Sequence, residues 1–469
     1  MTTNRVHLPL RHPSHTYLGL VSFVAALGGF LFGFDTAVIS GAVGYLKTQF
    51  GLTAAMEGWL VSSALVGCVL GVLAAGSFSD RFGRKPALMA AAVLFLISAV
   101  FSTVPTSFST LVAARLVGGI GVGIASMLSP LYIAELSPPR LRGRLVSLYQ
   151  FAITLGILIA YFSNAFWQGL SAGDSFRDVP FLAWIMHDEV WRIMFGSETI
   201  PAAIFLGLLL WVPRSPRWLV SKGRDKEALA VLSRIGGAEA GRAELEAIRD
   251  VVSRSSERLR AVLSPNIRPL LVIGMVLAAA SQFSGINVII YYGPRVFAEA
   301  GFTISDALGA QVTIGVTIVL FTLVAIWKVD HIGRKPLLLA GMSGTILSLA
   351  ALGLLFYFGR ASGVLVVALI LLFCACFSFS YGPVVWVILA EIYPVRIRGR
   401  AMSIATMTLW LSNAIVGQTF PWLLENLGAS GTFWLFAIIT LPVVWFVAAV
   451  VPETKGKTLE ELEMIFRRI

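Results

Sequence analysis

A carboxylate, Asp35, stands in residues 28–41, GGFLFGFDTAVISG, among Phe, Leu, Val and Ile of the first long apolar run. An ionised side chain in such a setting costs roughly 2.5 to 3.5 kcal/mol even on lenient insertion scales, so something must compensate it. Within the N-terminal half, the one cation at comparable depth is Arg115, in the run RLVGGIG at 115–121. A carboxyl in a dry surrounding beside a guanidinium that approaches and withdraws is a proton switch, because the nearby cation favours the charged form. Glu198, early in the sixth apolar run, is a second acid able to relay that proton. The plainer alternative is a static Asp35–Arg115 pair tying two helices together. Ionisable groups inside a membrane are functional by default, which favours the switch.

Residues of this kind need elements that cross a bilayer. The chain has 469 residues, 57% hydrophobic and 13% charged, and a mean hydropathy of +0.83, far more apolar than a soluble domain. Runs long enough to span, at about 20 residues each, are 17–39, 58–78, 86–102, 110–133, 145–166 and 191–212, then 269–292, 306–327, 336–358, 363–390, 401–423 and 432–450. The expected fold is an all-α membrane protein with twelve transmembrane helices in two six-helix halves. A β-barrel is excluded, because the apolar runs are continuous and do not alternate. The expected divisions are a tail at 1–16, a first half at 17–212, a linker at 213–268, a second half at 269–451 and a tail at 452–469.

Arg81, Arg84 and Lys85, then Arg140, Arg142 and Arg144, then Lys328, Arg334 and Lys335, then Arg396, Arg398 and Arg400 fall in alternate loops. The positive-inside bias puts those loops and both termini in the cytoplasm. The opposite loops are nearly bare apart from Lys47, Arg177, Arg295 and Arg360. The net charge of +11 therefore reads as topology, with no nucleic-acid partner expected. The region 217–268 is dense in charge, with helix-like spacing at 226–234 and 239–258 broken by Gly236 and Gly237, and reads as short amphipathic cytoplasmic helices. Some 50 residues cannot bury the core of a separate domain. The outer loop at 168–190 reads as a lid. Cys68, Cys374 and Cys376 lie in apolar runs and suggest no disulfide or metal site. The N-terminus shows no cleavable signal, so the first run is expected to be retained.

The halves echo one another. SDRFGRKP at 79–86 matches VDHIGRKP at 329–336, and Glu135 with Arg140, Arg142, Gly143 and Arg144 matches Glu391 with Arg396, Arg398, Gly399 and Arg400. Each pair of motifs offers opposite charges, Asp80, Arg84, Glu135 and Arg142 in one half and Asp330, Arg334, Glu391 and Arg398 in the other. Salt bridges among them would latch neighbouring helix ends. Insertion signals alone need positive charge but no matched acids, which favours the latch.

These paired motifs, Trp191-Arg192 opening the sixth run, Pro213-Arg214-Ser215-Pro216-Arg217 after it and Pro452-Glu453-Thr454-Lys455-Gly456 after the twelfth complete a signature. Along essentially its whole length the chain resembles a sugar porter of the major facilitator superfamily, similar to bacterial proton-coupled xylose and glucose symporters and animal facilitative glucose carriers. The resemblance implies a central site between two halves that rock to give alternating access. It implies Gln150, Gln282, Asn287, Trp386, Trp410 and Asn413 at or near the sugar, with Phe32 as a second aromatic wall and Ser281 beside Gln282. Amides both donate to and accept from hydroxyls, and an indole stacks on a pyranose face. Tyr291 and Tyr292 match an extracellular gate, and Gly382-Pro383 implies a bend beside Trp386. Asp35 occupies the position at which proton-coupled members carry Asp.

The implied function is proton-coupled symport of a monosaccharide or related polyol across the cell inner or plasma membrane, with no cofactor, by a monomer in the bilayer. The pattern departs from the family at Ser281, where a glutamine is usual, and at Ile157, Ile318 and Leu409, where polar residues are usual. A less hydroxylated or partly apolar ligand is therefore expected. Arg214 replaces the acid of the Pro-Glu-Ser-Pro-Arg motif and should weaken or rewire the latch on that side. An uncoupled facilitator is the strongest rival, and a sensor is disfavoured because only about fifteen residues follow Glu453. An enzyme is not expected: the glycines of 118–123 lie in an apolar span with no preceding strand, so they read as helix packing and not a phosphate loop.

Overall fold

With no water in the hydrocarbon to satisfy backbone N–H and C=O groups, apolar runs of this length must form helices. The computed structural model describes residues 15–173, 178–254, 264–265, 267–361, 363–393 and 397–455. The first half contains α1 (His15–Phe50), α2 (Ala54–Phe82), α3 (Arg84–Phe101), α4 (Phe108–Leu136), α5 (Pro139–Ser171), the short α6 (Pro180–Ala183), α7 (Trp191–Gly196) and α8 (Thr199–Leu209). Helices α9 (Pro216–Ser221), α10 (Asp225–Gly236) and α11 (Ala238–Arg254) follow outside the spans. The second half contains α12 (Arg268–Phe283), α13 (Ile286–Glu299), α14 (Ile304–Ile332), α15 (Arg334–Tyr357), α16 (Gly363–Phe379), α17 (Tyr381–Ile392) and α18 (Arg398–Ala449).

Among the described residues, eleven helical stretches are long and apolar enough to cross a membrane. The 52 residues of α18 would run about 78 Å at 1.5 Å each, far beyond a bilayer core of about 30 Å. Gly428 (φ 66°, ψ 176°) breaks it into the eleventh and twelfth crossings. Thus the chain is a twelve-helix, multi-pass membrane protein, and its outward surface is a belt of exposed Leu, Ile, Phe and Trp.

In the first half α2 packs on α4 and α1 on α5; in the second α12 and α15 pack on α18 and α14 on α16. The halves meet along α2 with α18 and α5 with α14. The α2–α4 seam explains the glycine run: a Cβ on Gly119 or Gly123 would strike the backbone of Ala64 or Cys68. Close helix approach, and not a phosphate cradle, is what these glycines serve.

Several expected spans are extended or broken. The first helix runs on past residue 39 to Phe50, so Asp35 is mid-helix. The seventh span divides at Ser284–Gly285, where Gly285 has φ 88°, and continues past Tyr292 to Glu299. In the tenth the break falls at Ser380 (φ −122°, ψ −86°), just before Gly382-Pro383. Proline is tolerated in a helix's first turn, where its N–H is not needed, so the pair starts α17 and does not bend it. The charged region forms helices, as its spacing predicts, with Gly237 separating α10 from α11. Those helices gather around Trp218, Leu219, Leu232, Leu245 and Ile248.

Candidate functional site

A cavity of about 1530 Å³ lies between the halves. Mid-span residues Phe32, Gln150, Ser281, Gln282, Asn287, Tyr291, Gly382, Trp386, Trp410 and Asn413 line it, and so do Asp80, Arg84, Glu135, Arg142, Trp218 and Ile248 at the end carrying the basic loops. It therefore opens at the basic end.

The opposite end is closed across the halves. Buried Glu57 on α2 pairs with Lys47 at 3.1 Å and with Arg295 of α13. Glu425 accepts from Arg295 at 3.3 Å and faces Lys47 at 3.5 Å. Ser62 donates to Gln418 at 2.6 Å, Gln418 to the Ala55 carbonyl at 3.1 Å, and Ser40 to Gln311 at 2.9 Å. Tyr161 donates to the Ile290 carbonyl at 3.1 Å. Tyr292, at a kink in α13, donates to the Gly417 carbonyl at 2.8 Å. Sequence reasoning missed this clamp. Its signal was present, however, since Lys47 and Arg295 are among the few basic residues at the outer ends.

Asp35 and Arg115 are brought together. Arg115 Nη1 donates to Asp35 Oδ1 at 2.6 Å, and both side chains are at most 2% exposed. The guanidinium also lies over the Phe195 ring at 5.6 Å. Helix α4 supplies Arg115 opposite Asp35 because Gly118, one turn on, has no side chain: a Cβ there would press on Ser98 and approach Asp35 Oδ1 at 3.6 Å. Glu198 joins them from the gap between α7 and α8, its carboxyl within hydrogen-bonding reach of Asp35. Asp35 Oδ2 and Glu198 Oε1 have no donor among the described residues. Thr36, next to Asp35, lines the cavity.

The amides and indoles also converge. Gln282 Nε2 donates to Ser281 Oγ at 2.7 Å, and Asn287 Nδ2 to Gln282 Oε1 at 2.5 Å. Asn413 Nδ2 donates to Tyr291 Oη at 2.8 Å. Phe32 packs on Trp410 with ring centroids 5.0 Å apart, joining the halves above the cavity. Trp410 Nε1, Asn413 Oδ1 and Tyr381 Oη are buried without protein partners, and they are the atoms a polar ligand would satisfy. Tyr381 was not among the sequence candidates; a single tyrosine in an apolar run carries no distinguishing pattern.

At the basic end each latch lies within one half. Arg84 reaches Glu135 at 3.0 Å and Asp80 at 3.4 Å, and Arg334 reaches Glu391 at 2.9 Å. Arg142 does not join its latch through an acid. Arg84 and Ser215 already occupy Glu135, and Arg142 donates instead to the carbonyls of Ala134 and Ser137. Arg214 lies over the Trp218 ring at 5.3 Å. The side chains of Arg140, Asp330, Arg396 and Arg398, and Arg177, lie outside the described residues.

A family profile described as "Sugar (and other) transporter" matches residues 21–466. The chain is 41% identical to the arabinose-proton symporter of Bacillus subtilis over 457 residues, covering 97% of this chain and 96% of that one. It is similar to a partially occluded inward-open structure of the xylose transporter XylE from E. coli, with TM-score 0.83 and 39% identity, over 94% of this chain and 100% of that one. A proton:xylose symporter XylE structure bound to 6-bromo-6-deoxy-D-glucose matches with TM-score 0.79 and 40% identity, over 96% and 99% of the two chains.

Proposed function

The chain belongs to the sugar porter family of the major facilitator superfamily, and from that premise we propose that it carries a monosaccharide together with a proton by alternating access, as a monomer in the bacterial inner membrane with the basic end and both termini in the cytoplasm. Two of the relatives it resembles are named as symporters of arabinose and of xylose with protons. The observation that carries the reading is the buried Asp35–Arg115–Glu198 group placed one residue behind the cavity wall.

One guanidinium faces two carboxyls, and carboxylates that share a site keep a proton between them. If α4 withdraws Arg115 from Asp35, the acid must take a proton; if Arg115 returns, the proton leaves. Sugar enters between Gln150 on the first half and Gln282, Asn287, Trp386 and Asn413 on the second. Phe32 and Trp410 couple its presence to the approach of the halves. The conformation with its cavity open at the basic end is the one that discharges both to the cytoplasm, while the Glu57 clamp seals the outside.

The test is uptake into proteoliposomes under an imposed pH difference. Asp35→Asn should abolish accumulation against a gradient yet preserve exchange of labelled for unlabelled sugar, which needs no net proton release. Retained accumulation in that variant would exclude the proposed coupling, and an uncoupled facilitator would then account for the fold.

A further inference from the structure

The walls of the cavity differ in kind. Its hydrogen-bonding groups come mostly from the second half, on α12, α13, α16, α17 and α18, and four of them end in the unpartnered atoms Ser378 Oγ, Tyr381 Oη, Trp410 Nε1 and Asn413 Oδ1. On the first half, the hydroxyls of Thr36 and Thr154 are already directed to the carbonyls of Phe32 and Phe151. The Gln150 side chain and the buried Tyr149 hydroxyl there stand without a hydrogen bond among the described residues.

Part of the remaining boundary is aliphatic. Helices α5 and α14 approach closely where a Cβ on Gly315 would meet Leu158. Ile157 precedes that contact on α5, and Ile318 stands one turn from it on α14. Leu409 lies one turn from Asn413 on the same face of α18. All three line the cavity and are 5–8% exposed. None can donate or accept a hydrogen bond.

Resting on the reading above that the ligand is a monosaccharide, we propose that this site selects 6-deoxyhexoses over the corresponding hexoses, with the C6 methyl turned to Ile157, Ile318 and Leu409. The ring hydroxyls have partners on α12, α13, α17 and α18. The exocyclic carbon is the one place in a hexose where removing an oxygen leaves a compact apolar group. A hydroxymethyl set against this wall loses its water and finds no partner, whereas a methyl gains from the same burial.

The full chain, purified in detergent, is titrated by thermal shift with three matched pairs: 6-deoxy-D-glucose and D-glucose, D-fucose and D-galactose, L-rhamnose and L-mannose. In each pair that binds, the 6-deoxy sugar should bind about 10- to 100-fold more tightly, the range an apolar pocket gives for one added hydroxyl. Parity, or preference for the hexose, overturns the proposal. Leu409→Gln supplies a partner for the C6 hydroxyl and should narrow the ratio, which does not depend on how much protein folds. An unchanged ratio overturns the role of the wall. If no sugar of either kind shifts the protein, the sugar-symport reading itself fails, and the preference with it.

Discussion

The two halves share a backbone plan but divide their polar groups differently. In the first, mid-span charge gathers away from the cavity: Asp35, Arg115 and Glu198 meet behind the wall, and the surface toward the cavity is largely Phe32, Ile153 and Ile157, with Gln150 among them. In the second, the groups facing the cavity are neutral: Gln282, Asn287, Trp386, Trp410 and Asn413. A buried charge needs a charged partner, and it changes state when that partner moves. Neutral amides and indoles instead discriminate hydroxyls without strong coupling to pH. On the proposed coupling, separation of the two would let a proton bias the conformation without competing with the sugar for the same atoms.

The largest test of that division compares a variant from each half. Asp35→Asn should remove all accumulation of sugar under an imposed pH gradient while leaving the thermal shift by sugar nearly as in the unaltered protein. Asn287→Ala should do the reverse. Coupling persists at saturating sugar, but the half-saturation concentration rises on the order of 100-fold, the effect of leaving a hydroxyl-reading site with unpaired polar atoms. If Asp35→Asn abolished sugar binding as well, the two functions would not be divided between the halves.

A smaller effect is expected at the outer clamp, which is where the halves hold one another. Glu57 is 1% exposed and faces Lys47 and Arg295. Removing one partner of a buried pair leaves the other charge uncompensated. Glu57→Gln should therefore shift the protein toward the outward-open arrangement, read as about a tenfold rise in labelling of a cysteine placed at Ser62, which is buried against Gln418 in the closed clamp. Unchanged labelling would mean that the Tyr292, Gln418 and Gln311 hydrogen bonds suffice to seal that end.

Much of this was legible before the structure. The twelve runs, the paired motifs and Asp35 stand out because the bilayer penalises every exception to apolarity, so each exception carries information. Helix breaks were less legible. Gly382-Pro383 marked the tenth helix as irregular, yet a proline's missing N–H is equally satisfied by starting a helix, which moved the break to Ser380. The Glu57 clamp was illegible in a different way, since its four charges come from α1, α2, α13 and α18 and become neighbours only when the halves close. Arg142 read as a partner for Glu135 by spacing, but Arg84 and Ser215 reach that carboxylate first.

The smallest effect lies at two corners whose backbones nearly superimpose in torsion, Gly83 (φ 98°, ψ 165°) and Gly333 (φ 103°, ψ 161°). At the second corner Glu453 accepts from the Arg334 and Lys335 amides, both at 3.0 Å, and from Lys455 at 2.8 Å. At the first, the amides of Arg84 and Lys85 have no acceptor among the described residues, and Arg214 turns to Trp218. Burial pushes the Glu453 carboxyl up, but the amides of Lys455, Arg334 and Lys335 outweigh it and hold the group below the usual carboxylate range. Its folded value thus lies under its unfolded one, so the stabilisation is complete above about pH 4.3 and drains away as pH falls through the folded value. Glu453→Gln should cost about 1 kcal/mol at neutral pH, the usual worth of a helix cap with its charge, and should flatten that acid limb of thermal stability. Arg214→Glu should add about the same amount and create a matching limb for the first half. If Arg214→Glu destabilises the protein instead, stacking on Trp218 outweighs the missing cap, and the two corners differ by replacement of one stabilising contact with another.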